Sequence, residues 1–245
     1  MIEKHLNIPT LDGAMNSFVV CPDEGGPFPV VLFYMDAPGY REELRDMARR
    51  IASVGYYVVL PNLYYRRSLD YVLKERTEAG MAEMFTHMGS LTQATTHVDT
   101  KAMLDFVATE SLADASKIGA VGYCMSGPFV VWAAGDFQKE IKCIASIYGA
   151  RMVTDAPNSP HLEVTKLRCE SYHACAEIDK WASPEQVATL EKNLQANQAA
   201  TATPYRLEWY AGAEHGFAFP ERHCYQKSGA ERHWVRLFDL FKRNL

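Results

Sequence analysis

Apolar residues in this 245-residue chain fall into short unbroken runs, separated by stretches in which they recur every three or four positions. The runs PVVLFYM (29–35), YYVVLP (56–61), IGAVGY (118–123), IKCIASIYG (141–149) and YRLEWYAG (205–212) read as strands. Several are apolar at successive positions, as strands covered on both faces must be. The intervening stretches read as amphipathic helices. In REELRDMARRIASVG, Leu44, Met47, Ala48, Ile51 and Ala52 share one face, and Gly55 suits the helix end. SPEQVATLEKNL has Ser183 as N-cap, Pro184 in the first turn and Gln186 closing a capping box. Near the C-terminus Trp234, Leu237, Phe238 and Phe241 form one stripe. This alternation predicts an α/β fold, a mostly parallel central sheet with helices on both faces.

The N-terminal DGAMNSFVVCPDEGGPFP fits a hairpin strand entering through an EGG turn. No repeat or linker divides the chain, so one domain over 1–245 is expected. The least regular part, 62–92, is too long for a plain connection and predicts a helix over one end of the sheet. Its Met81, Met84, Phe85 and Met88 fall at helical spacing. A core stripe is the ordinary reading of that spacing; a lid-like segment is the alternative.

A net charge of −5 without a basic stripe argues against nucleic acid. The N-terminus lacks the apolar core of an export signal, and no run approaches the ~18 residues of a membrane span. The six cysteines form no regular framework and fit reduced thiols in a cytoplasmic protein. Cys169, His173 and Cys175 in CESYHAC lack the fourth ligand of a closed zinc site, so buried thiols beside a strand are expected there and no metal.

The chemistry concentrates at GYCMSG. Cys124 stands one residue past an apolar run, at the strand edge where open α/β sheets gather ligands. A sharp strand-to-helix corner strains its central residue and needs small neighbours two places away; Gly122 and Ser126 supply them. The corner residue is therefore Cys124, and Ser126 is expected one turn into the helix. The helix N-terminus favours a thiolate, and the Met125 N–H is placed to meet an oxyanion. His215 follows the last strand run between Gly212 and Gly216, and Asp179 precedes the Ser183 cap. Nucleophile, acid, histidine is the chain order of α/β-hydrolases.

These segments resemble the dienelactone hydrolases, the carboxymethylenebutenolidase branch of the α/β-hydrolases. GYCMSG resembles the family's G-x-C-x-G elbow, with Ser126 for glycine; PNLYYR its P-D-L-Y segment, with Asn62 for aspartate; AEIDKWASP its acid loop; and GAEHGFAF its histidine loop. The resemblance implies an α/β-hydrolase fold with Cys124 as nucleophile, His215 as base and Asp179 as its orienting acid. It further implies Asp36 as an auxiliary carboxylate near the thiol, Ala37 as a second oxyanion donor beside Met125, and Tyr148 near substrate. Phe219 stands where the family carries an arginine for the substrate carboxylate, which leaves Arg76, Arg151 and Arg222 as candidate replacements.

The function this implies is hydrolysis of a small lactone or enol ester through a cysteine thioester, with no cofactor. The expected partner is a small-molecule ester, with neither nucleic acid nor membrane, in a monomer or small homo-oligomer. Two rivals stay open: a non-catalytic homologue that binds a ligand or senses oxidants through Cys124, and acyl transfer to an acceptor other than water.

Overall fold

The computed structural model describes residues 1–245 and places eight strands in one sheet, ordered β1-β2-β4-β3-β5-β6-β7-β8. The chain divides into two compact units, Met1–Ile118 and Gly119–Leu245, with the boundary inside the fifth strand.

The first unit opens with the antiparallel hairpin β1 (Ile2–Thr10) and β2 (Gly13–Cys21). Next come β3 (Phe28–Tyr34), α1 (Glu42–Ala52), β4 (Tyr57–Pro61), α2 (Glu78–Gly89), α3 (Gln93–Thr109) and the start of β5 (Ala113–Tyr123). β4 lies antiparallel to β2 and parallel to β3. Val30 to Phe33 and Val58 to Leu60 have no exposed surface, which explains their unbroken apolar sequence. The five residues assigned to the inner face of α1 are all buried.

The irregular stretch is organised by side-chain hydrogen bonds. Asn62 donates to the Asn16 side chain and the Ser68 carbonyl, and accepts from the Tyr64 N–H. Arg66 clasps the buried Asp99 of α3 at 2.7 and 3.0 Å, while the Tyr65 hydroxyl donates to the same carboxylate. The expected helix is α2, but its orientation differs from the stripe. Met84 and His87 are buried, whereas Phe85 is exposed. His87 packs on Tyr71 and Tyr64, an aromatic contact that turns the helix away from the methionine face.

The second unit contains the rest of β5, α4 (Gly127–Asp136), β6 (Ile141–Ile147), the short α5 (Pro160–Glu163), β7 (Glu170–Ile178), α6 (Pro184–Thr201), β8 (Tyr205–Glu214) and α7 (Lys227–Asn244). β6, β7 and β8 run parallel. α6 starts as expected, with Ser183 and Gln186 in a reciprocal capping box and Pro184 at the first position. Trp234, Leu237 and Phe241 of α7 are buried, and Phe238 stacks on Trp234. No helix is long and apolar enough to cross a membrane.

Two strands escape the apolar-run reading. β1 carries His5, Lys4 and Asn7 and is largely exposed at one edge of the sheet. β7, ESYHACAEI, buries Ser171, Tyr172 and His173.

The Arg66–Asp99 pair fixes the 62–68 turn to α3. Arg66→Met leaves a buried carboxylate uncompensated and is expected to cost about 3–5 kcal/mol in urea denaturation. A loss within the ordinary surface range, about 0.5 kcal/mol, would contradict this role for the pair.

Candidate active site

β5 ends at Tyr123, and Cys124 turns the chain with φ = 56°, the left-handed region that a side chain disfavours. A single 3₁₀ turn, Cys124–Ser126, leads into α4. Packing holds the strain. A Cβ on Gly122 would lie 2.2 Å from the Ser126 carbonyl oxygen, so only glycine fits two places before the cysteine. A Cβ on Gly127 would lie 2.5 Å from the Gly149 Cα and 2.6 Å from the Ser146 Oγ. The tightest approach on the helix side thus falls at Gly127, three places after Cys124. Ser126 is accommodated fully buried as the N-cap of α4, closer to the corner than the expected full turn into the helix. The Ala150 N–H donates to the Cys124 carbonyl at 2.9 Å and latches the corner to the loop after β6.

His215 follows β8 directly, and its N–H donates to the Ile178 carbonyl at 3.2 Å. Its Nδ1 donates to Asp179 Oδ2 at 2.7 Å, and the other oxygen of that carboxylate accepts the Trp181 N–H at 2.8 Å. The Asp179 side chain is 1% exposed. Burial by itself lowers the basicity of the imidazole. The charge and hydrogen bond of Cys124, with the Asp179 carboxylate, outweigh burial and raise His215 to about 9. Cys124, His215 and Asp179 are therefore brought together in one unit, the acid at the end of β7 rather than of any strand legible as an apolar run.

Tyr148 is buried beside them, with its ring edge-on to His215 at 5.2 Å. It too has positive φ, 39°, and its N–H donates to the Ala174 carbonyl. Met125 is buried in the turn after Cys124. Phe219 has no exposed surface and packs on Tyr123 and Tyr148, so its position offers no cation. Arg151 is exposed on the loop after β6, and Arg76 is exposed ahead of α2 in the first unit. Arg222 lies over the Phe219 ring at 4.5 Å and fills the space that a Cβ on Gly216 would need.

In the first unit Asp36 has no exposed surface and is gripped by Arg41 at 2.6 and 3.2 Å. Arg41 also donates to Glu43 and the Gly39 carbonyl, so its five N–H groups are all engaged. The Ala37 carbonyl accepts from the Tyr64 hydroxyl at 2.9 Å. Sequence reasoning missed Arg41, Tyr64 and Cys224, whose thiol donates to the His215 carbonyl at 3.2 Å. The acidic–basic triplet Asp36, Arg41 and Glu43 was the available signal for the first of these.

The family model for the dienelactone hydrolase family matches residues 15–245. The chain belongs to that family. A Methylorubrum extorquens protein named "Putative carboxymethylenebutenolidase" is 27% identical over 247 residues, covering 99% of this chain and 81% of the relative. One of the same name from Escherichia coli K12 is 26% identical, covering 97% and 85%. Among solved structures, a "Putative Dienelactone Hydrolase" from Klebsiella pneumoniae superposes with a TM-score of 0.87 at 22% identity, covering 98% of both chains. A dienelactone hydrolase-like promiscuous phosphotriesterase from metagenomic libraries gives 0.78 at 17% identity, covering 99% and 98%. These likenesses show the α/β-hydrolase fold, the fold class expected from the alternation of strands and helices.

The packing around the corner yields a paired prediction. Gly127→Ala forces Gly149 and Ser146 apart and is expected to cost about 1–3 kcal/mol. Gly89→Ala, in α2 with open space at the Cβ position, is expected to gain about 0.5–1 kcal/mol. Urea midpoints of the two variants check this; equal midpoints would show that the corner is not tightly packed.

Proposed function

We propose that this protein hydrolyses small uncharged esters or lactones through a thioester on Cys124. The observation that carries the reading is His215, bonded to Asp179 at 2.7 Å through one ring nitrogen and coupled to Cys124, which itself stands on a left-handed corner.

The raised basicity of His215 favours an imidazolium–thiolate pair at neutral pH. The thiolate attacks the ester carbonyl carbon, forming the C–S bond and moving the carbonyl electron pair onto oxygen. The Met125 N–H receives that oxyanion, contributing about 3 kcal/mol. The oxyanion then re-forms the carbonyl, the C–O bond to the alcohol breaks, and the imidazolium gives its proton to the leaving oxygen.

Acylation changes the electrostatics in the direction the second step needs. Once the sulfur is bonded to the acyl group its charge is gone, and with it the largest influence raising His215. Burial then favours the neutral ring, which takes a proton from water as that water attacks the thioester. The tetrahedral adduct expels the thiolate, restoring the ion pair and releasing the acid. Because a thiolate leaves more readily than an amide nitrogen, esters are expected to turn over and matched anilides to remain nearly inert.

The buried Phe219, whose position offers no cation, favours uncharged substrates. Hydrolysis of p-nitrophenyl acetate by the native protein and by Cys124→Ala tests the reading. A loss of at least about 10³-fold is expected. Equal rates would contradict it and favour the ligand-binding alternative. Rate enhancement by added alcohols would identify acyl transfer.

The ion pair has its own signature. Since His215 stays protonated up to about 9, alkylation of Cys124 by iodoacetamide should change little between about pH 6 and 8. In His215→Ala the rate should climb with pH like that of an ordinary thiol titrating near 8.5. Parallel profiles would rule out the pairing.

A further inference from the structure

One buried histidine of the second unit takes no part in the chemistry above. His233 of α7 has no exposed surface, and its ring packs against the rings of Tyr123, Phe217 and Trp234. Both of its nitrogens are bonded. Nδ1 meets the Ala230 carbonyl at 2.5 Å, and Nε2 meets the Tyr123 hydroxyl at 3.0 Å. A carbonyl can only accept, so Nδ1 carries a hydrogen. Burial among aromatic rings penalises a second proton, so Nε2 accepts and the Tyr123 hydroxyl donates.

Tyr123 is the last residue of β5 and precedes Cys124 directly. It too has no exposed surface, and its ring touches two groups that flank His215. Tyr148, with ring centres 6.0 Å apart, is the residue whose ring stands edge-on to His215. Phe219, at 5.5 Å, belongs to the loop that carries His215. Phe217 of the same loop packs on Tyr148 and faces His233. The corner and the histidine loop therefore rest on one aromatic cluster. Ring contacts in such a cluster tolerate small slides, whereas a buried hydrogen bond is directional and costly to break. His233 supplies that bond to the Tyr123 hydroxyl, and is itself fixed to the backbone of α7 through Ala230.

We propose that His233 is a positioning residue for the Cys124–His215 pair: through Nε2 it holds the Tyr123 ring, and that ring keeps the corner and the histidine loop in place. It acts as a neutral hydrogen-bond acceptor and exchanges no proton with substrate. The role deepens the proposed function, since it rests on Cys124 and His215 forming an ion pair.

The test follows alkylation of Cys124 by iodoacetamide in the full chain, read by peptide mass analysis, down to the acid pH at which the thiolate is lost. Tyr123→Phe removes the hydroxyl and keeps the ring. Loosening the ion pair should raise the pH of that inflection by about one unit, so alkylation on the acid limb slows about tenfold. His233→Phe should act alike, and the two changes together no more than either alone. His233→Gln, whose amide oxygen accepts from Tyr123, should restore the parent profile. Leu240→Ala opens a cavity elsewhere in α7 and should lower the urea midpoint without moving the inflection. Nitrogen-15 shifts of His233 should report hydrogen on Nδ1 alone, and hydrogen on Nε2 would overturn the acceptor role. Tyr123→Phe keeps the test open if His233→Phe does not fold. An unmoved inflection in either variant that folds, or an equal movement in Leu240→Ala, would overturn the positioning role and leave the ion pair intact. A parent that alkylates like an ordinary thiol would overturn the ion pair, and this role with it.

Discussion

The left-handed backbone at Cys124 is held by contacts that leave no room for a side chain at Gly122 or Gly127, and by hydrogen bonds from the Ala150 and Gly127 N–H groups to the Cys124 carbonyl. A cysteine at φ = 56° is intrinsically unfavourable by on the order of 1–2 kcal/mol, and it persists because the surrounding backbone has no other way to pack. Everything the site can do follows from that arrangement. A relaxed turn would carry the sulfur back toward the strand and away from the imidazole at the end of β8.

The second unit supplies the site through several strand ends. β5 delivers Cys124, β6 the latch at Ala150 and the ring of Tyr148, β7 Asp179, and β8 His215. Each side chain stands just beyond a rigid strand, and each strand end is fixed by backbone hydrogen bonds to a neighbour. Burial alone would weaken His215 as a base. Its raised affinity for a proton comes from Cys124 and Asp179 and is therefore conditional on the charge of the sulfur. In the proposed thioester reaction such a base would change strength between the two halves without any movement of the chain.

Much of this was legible in the sequence, for reasons specific to each element. β3, β4 and β6 read as strands because both of their faces are covered. The corner was legible because its geometry restricts residue 122 to glycine, and His215 because glycines flank it. β7 was not, since Ser171, Tyr172 and His173 are buried polar residues that leave no apolar run. α3 was hidden in the same way. Its inner face includes Thr96, Asp99 and Thr100, with Thr100 bonded to Tyr34 and Asp99 to Tyr65 and Arg66. The orientation of α2 depends on aromatic partners distant from the helix, which its own spacing cannot reveal. The grip of Arg41 on Asp36 likewise depends on a loop whose course is set by tertiary contacts.

The most direct test is to trap the acyl group. Rapid acid quenching of the protein mixed with p-nitrophenyl acetate, followed by intact-mass and peptide analysis, should reveal one acetyl group on Cys124 that decays as acetate is released. An adduct on another residue, or turnover without any adduct under conditions where deacylation limits the rate, would contradict the account.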